Sequence, residues 1–83
     1  MSKLNQRELV QIFAEILEVD PASLSDQSAP DNVKGWDSAK SLEIVVALEE
    51  TLGFEFSAEE LSEMASIGAT REILTRKGIF IQQ

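Results

Sequence analysis

The chain contains no cysteine and no histidine. The first absence excludes disulfides and any protein thiol nucleophile, and makes the chain indifferent to redox compartment. The second removes the usual general base, the commonest metal ligand and every Ser-His-Asp or Cys-His arrangement, so an enzyme in its own right is the least expected reading. Basic residues are scarce as well: 7 Lys and Arg stand against 15 Asp and Glu, for a net charge of −8. Such a surface repels phosphate backbones and anionic lipid and favours a basic partner, which argues against nucleic acid as a ligand. No stretch approaches the roughly 20 apolar residues of a membrane span. The start, Met1-Ser2-Lys3-Leu4-Asn5-Gln6-Arg7-Glu8, has no apolar run of the signal-peptide kind. A cytoplasmic, soluble monomer is expected. Repeats and low-complexity tracts are missing, and β-alternation is limited to Phe54-Glu55-Phe56.

What remains is a chain of 83 residues, read as a single domain over 1–83 with one core. From Asn5 to about Glu18 the apolar residues Leu9, Ile12, Phe13, Ile16 and Leu17 form one helical stripe. Asn5 caps it, with Glu8 three residues on as a capping-box partner, and Val19-Asp20-Pro21 ends it. A long segment follows, holding both prolines, and is expected to pack through Leu24, Val33 and Trp36. A second helix begins around Asp37, a good N-cap, and runs to about Leu52 before Gly53. Ser57-Ala58-Glu59-Glu60-Leu61 repeats the capping-box pattern and opens a short third helix ending near Met64. Ser66 caps a fourth, which turns Ile67, Thr70, Ile73 and Leu74 inward and stops at Arg76-Lys77-Gly78. Gly68 weakens it by up to about 1 kcal/mol relative to alanine. The expected fold is all-α: a small antiparallel four-helix bundle with three longer helices and one short one. Ile79-Phe80-Ile81 either packs on it or frays.

The most informative stretch is Gly35-Trp36-Asp37-Ser38-Ala39-Lys40-Ser41-Leu42-Glu43-Ile44-Val45-Val46-Ala47-Leu48-Glu49-Glu50. It presents a serine at the first turn of an amphipathic, acid-edged helix. On spacing alone Ser38 is an ordinary first-turn serine, and Asp37 a plain N-cap. Helical spacing puts Ile44, Val45, Leu48 and Leu52 on a core face, and Ala39, Leu42, Glu43, Val46, Glu49 and Glu50 around the other. The second set is either a solvated face or, with Leu42 and Val46 framed by three glutamates, a docking strip; the strip is favoured. Met64 is either a core filler or a partner contact. Trp36 is expected to bury its ring and pin the loop before the serine, its indole N–H seeking an acceptor.

This pattern resembles the acyl carrier protein family, whose hallmark is Asp-Ser-Leu at the start of the second helix. The resemblance covers nearly the whole length: the motif as Asp37-Ser38-Ala39, the acidic and apolar helix after it, the long first loop, the short third helix and the fourth, in the family's order. It implies that Ser38 carries 4′-phosphopantetheine, added from coenzyme A by a phosphopantetheinyl transferase that recognises Asp37. It implies too that acyl-loading and acyl-processing enzymes with basic surfaces dock near Ala39, Leu42, Glu43, Val46, Glu49, Glu50 and Met64. Alanine at position 39, where the family usually has leucine, points to a specialised carrier. Lys34-Gly35-Trp36 lacks the Gly-Gly pair usual in peptidyl carriers. The arm would supply the thiol that the chain lacks. Fatty-acid, polyketide or other specialised biosynthesis is the expected setting. The alternatives are an aminoacyl or D-alanyl carrier loaded by an adenylating enzyme, and an unmodified helical interaction module.

Overall fold

In the computed structural model, which describes residues 3–81, four helices follow one another as the local signals require: α1 (Gln6–Leu17), α2 (Ser38–Leu52), α3 (Ala58–Glu63) and α4 (Ile67–Arg76). Each starts at a side-chain cap. The Asn5 carboxamide oxygen accepts the Glu8 amide at 2.8 Å while the Glu8 carboxylate accepts the Asn5 amide at 3.1 Å, closing the box that opens α1. Ser57 and Glu60 do the same for α3, and Ser66 accepts the Ala69 amide at 3.0 Å for α4. These caps occupy N–H groups that the first helical turn cannot use internally.

The helices end by backbone geometry. α2 stops at Gly53, whose φ of 69° glycine adopts without a Cβ penalty. α1 stops one residue before its expected end: Glu18 takes the left-handed conformation, φ 59°, and the Val19 amide donates to the Ala14 carbonyl. The segment from there to α2 is an ordered strap. A 3₁₀ turn over Pro21–Ser23 is capped by Asp20, and the buried Ser28 hydroxyl accepts the Ser25 amide at 2.8 Å. The carbonyls of Asp26 and Ser28 accept the amides of Gly68 and Ile67, and Asp26 pairs with Arg71, so the strap is tied to the start of α4. Leu24 and Val33 pack against the core beneath it.

One core unites the helices. Leu9 and Phe13 of α1, Ile44, Leu48 and Leu52 of α2, and Ile67, Ile73 and Leu74 of α4 are almost fully removed from water. Burying such side chains contributes about 1.5–3 kcal/mol each, before the entropy of ordering them is subtracted. α3 differs, because no residue of it is buried. Two ion pairs link it to the end of α4: Glu60 to Lys77 at 3.2 Å and Glu63 to Arg76 at 2.7 Å.

The all-helical expectation needs one addition. Residues Leu4–Asn5 (β1) and Phe80–Ile81 (β2) form a two-residue parallel pair, Leu4 opposite Phe80 and Asn5 opposite Ile81. The Leu4 amide also donates to the Ile79 carbonyl at 3.0 Å. Ile79 is buried, so the tail packs rather than frays. Phe54-Glu55-Phe56, the one stretch with strand-like alternation, is instead part of the irregular connection between α2 and α3, with its two rings edge to face at 4.6 Å.

Candidate functional site

Ser38 is the first residue of α2, and its side chain is exposed. Asp37 caps the helix: its carboxylate accepts the Lys40 amide at 2.9 Å, and its carbonyl accepts the Ser41 amide at 2.9 Å. The amides of Ser38 and Ala39 occupy positions that have no acceptor within a helix. An anion on the Ser38 hydroxyl would therefore meet free N–H groups and the positive end of the α2 dipole. An exposed hydroxyl at this place suits a phosphodiester.

The residues on either side hold the serine's backbone in place. Trp36 is buried, lies edge to face against Phe13 with ring centroids 5.5 Å apart, and donates its indole N–H to the Ser41 hydroxyl at 2.9 Å. This bond spans the serine, from two positions before it to three after. Sequence reasoning foresaw that the indole would need an acceptor but did not identify Ser41, whose only signal was a hydroxyl one helical turn beyond Ser38. Beside this bond lies a cavity of about 60 Å³, lined in part by Ile44, Val45, Leu61, Met64 and Thr70.

The residues expected to form a docking strip divide. Ala39, Leu42, Glu43, Val46 and Glu50 are exposed, Leu42 by 65% and Val46 by 43%. Leu42, Glu43, Val46 and Glu50 line an open groove of about 460 Å³ with Ala47 and with Ile16 of α1. Helical periodicity puts Ile16 in the apolar stripe of α1; here it is only half-buried. Glu49 stands apart. It is half-buried, and its carboxylate accepts the Phe56 amide at 2.9 Å, which fixes the turn after α2. Met64 is half-buried and packs against the core at the small cavity.

Comparison with known proteins gives the family. The family model described as "Phosphopantetheine attachment site" matches residues 7–74. The chain belongs to the phosphopantetheine-binding acyl carrier family. This carrier is 32% identical over 74 residues to "Polyketide-8 synthase acyl carrier protein 2" of Streptomyces avermitilis, a match covering 89% of this chain and 85% of that one. It is 34% identical over 59 residues to "Acyl carrier protein 2, mitochondrial" of Arabidopsis thaliana, covering 71% of this chain and 47% of that protein. In fold, the carrier is similar to the solution structure of a holo acyl carrier protein from Geobacter metallireducens, with a TM-score of 0.74 at 23% identity over 83% of this chain and 79% of that one. It is similar also to an acyl carrier protein from Enterococcus faecalis, with a TM-score of 0.67 at 21% identity over 84% and 89% of the two chains. Members carry 4′-phosphopantetheine covalently, and the chemistry of the α2 N-terminus suits that group. Among the described residues no helix is long and apolar enough to cross a membrane.

Proposed function

We propose that Ser38 is the attachment residue of this carrier, modified by a phosphopantetheinyl transferase that reads Asp37, and that the loaded carrier serves a specialised biosynthesis of the polyketide type. One observation carries the assignment: Ser38 joins an exposed hydroxyl to the N-terminus of the long acidic helix, directly after its aspartate cap. The polyketide setting is supported by the Streptomyces relative and by alanine at position 39. The bound arm supplies a thiol that holds an acyl group as a thioester. The chain's own residues supply placement, with Trp36 and Ser41 steadying the backbone around the serine and Asp37 shaping the helix start.

Partner enzymes dock on the face made by Leu42, Glu43, Val46 and Glu50. Ile16 extends this face onto α1, and Ala39 lies at its Ser38 end. Exposed apolar side chains framed by carboxylates favour a partner with an apolar ridge flanked by Lys or Arg. The test of attachment is intact-mass spectrometry after incubation with coenzyme A and a broad-specificity transferase. One phosphopantetheinyl addition is expected, abolished in Ser38→Ala while the circular dichroism spectrum is retained. An unmodified wild type, or a mutant modified to the same extent, would overturn the assignment.

A further inference from the structure

We propose that Glu18 is a docking residue for the phosphopantetheinyl transferase, which meets this carboxylate with a Lys or Arg while its active site reaches Ser38. The inference rests on attachment at Ser38. It adds to the α2 face a residue from the end of α1, one whose presence nothing in its own helix requires.

The backbone supplies the first observation. Glu18 closes α1 with φ 59° and ψ 46°, and among the described residues it is the only one other than glycine with a positive φ. Gly35, Gly53 and Gly78 take the other such positions. A Cβ is penalised in this conformation because it crowds the neighbouring carbonyl, and glycine is the usual residue at such a helix end. Glutamate at position 18 therefore stands against a preference that the chain obeys elsewhere. Its side chain recovers little within the molecule. It is 82% exposed, and its ion pair with Lys40 is 3.9 Å long. That is beyond hydrogen-bond distance, and an exposed pair of this kind contributes little. A residue kept in an unfavourable conformation without a compensating contact marks a site of function.

Position and charge say what meets it. The end of α1 lies beside the start of α2: Lys40, two residues after Ser38, stands 3.9 Å from the Glu18 carboxylate and 4.0 Å from that of Glu43. Ile16, two residues before Glu18, lines the open groove together with Glu43. Glu18 thus continues the acidic rim of that groove onto α1. Lys40 is the only base on α2. One ammonium facing two carboxylates leaves the cluster a net negative charge, and neither pair is close enough to occupy the oxygens. A cation from outside can therefore be received there. The transferase is the partner that this position fits. It forms a bond to the Ser38 oxygen itself, whereas later enzymes meet the thiol at the far end of an extended arm. Its surface must close on the residues around Ser38, and the net charge of −8 draws a basic one.

The experiment measures kcat and KM of the broad-specificity transferase for the carrier, with coenzyme A in excess and intact mass as the readout, at low and at high salt. Thermal unfolding of each variant runs alongside. Glu18→Gln is expected to raise KM severalfold at low salt with kcat unchanged, and the loss is expected to fade at high salt. Lys40→Gln, which uncovers both carboxylates, is expected to lower KM. Glu72→Gln makes the same charge change on α4 and is expected to leave KM near the wild-type value. Glu18→Gly is expected to raise KM as Glu18→Gln does and yet to melt several degrees higher, because glycine takes the left-handed conformation freely. A wild-type KM in Glu18→Gln, or a rise no larger than in Glu72→Gln, would overturn the proposal. So would a raised KM in Lys40→Gln, which would mean that the transferase presents an acid here. A lower melting temperature in Glu18→Gly would overturn it too, by making stability the reason for the glutamate. Absence of any mass increase in the wild type would instead overturn attachment at Ser38, and this inference with it.

Discussion

Gly68 lies so close to Asp26 that a Cβ on it would stand 2.9 Å from the Asp26 carbonyl oxygen and 3.0 Å from the Asp26 Cβ. The Gly68 amide donates to that same carbonyl at 2.9 Å. The strap between α1 and α2 can reach α4 only because position 68 has no side chain. In an exposed helix, Gly→Ala would stabilise by up to about 1 kcal/mol. Here Gly68→Ala is expected to destabilise by about 1–3 kcal/mol, because the clash is with backbone and cannot be relieved by a rotamer change. Urea unfolding of the two proteins gives the comparison, and a mutant at least as stable as wild type would contradict it.

Glu49 and its neighbours on α2 are expected to separate into two functional classes. Glu49→Ala removes the acceptor of the half-buried Phe56 amide and should cost about 1–3 kcal/mol. Glu43→Ala and Glu50→Ala, both at exposed positions, should stay within about 0.5 kcal/mol. Transferase modification rates should show the reverse pattern. Glu43→Lys and Glu50→Lys slow association, with an effect that fades at high salt, since exposed charges act chiefly on encounter. Equal rates for all variants would mean that the groove is only a solvated face.

Acidification should loosen the start of α3 as Glu60 takes up its proton. The Glu60 carboxyl is held below its ordinary range, chiefly by the Ser57 backbone amide and in part by Lys77. For a depressed carboxyl the stabilisation is present in full above the unfolded-state value and is lost as pH falls through the lowered folded value. Amide chemical shifts of Ser57 and Glu60 followed against pH should therefore report a midpoint below that of an ordinary glutamate. A midpoint at or above the ordinary value would contradict the role of the box.

Salt should raise the melting temperature of the whole domain. A net charge of −8 on this small bundle opposes compaction, and added ions screen that repulsion. The ion pairs of α3 with Arg76 and Lys77 are screened as well, but exposed pairs contribute little individually. A melting temperature that stays flat or falls with ionic strength would show that these pairs outweigh the repulsion.

The features legible in the sequence are those set by a few adjacent residues. Asn5 with Glu8, Ser57 with Glu60, Asp37 and Ser66 each mark a helix start through a bond spanning three residues, so the four helices and the placement of Ser38 follow directly. Gly53 and Gly78 mark stops, through a conformation that other residues adopt at a cost. What escaped depends on distant parts of the chain. Gly68 reads locally as a weak helix residue, and its reason lies 42 positions away at Asp26. Glu49 falls on the exposed side of a helical wheel, and only the path of the chain after Gly53 brings the Phe56 amide to it. Ile16 belongs to the core stripe by periodicity, yet it borders a groove because α2 leaves it partly uncovered. The pairing of β1 with β2 involves two residues at each end, too few for any pattern to announce.

That pairing also has a kinetic meaning. Leu4 and Phe80 are separated by almost the entire chain, so their contact closes a loop as large as the molecule. Closing a loop of that size is entropically costly while the intervening segment is unfolded, and becomes cheap once the helices have fixed both ends in space. The clasp therefore forms after the bundle and reopens before it. Its amides should exchange with solvent through a local opening that leaves the buried helices intact. β1 and β2 can thus part and pair on their own timescale, while the backbone around Ser38 keeps the slower clock of the core.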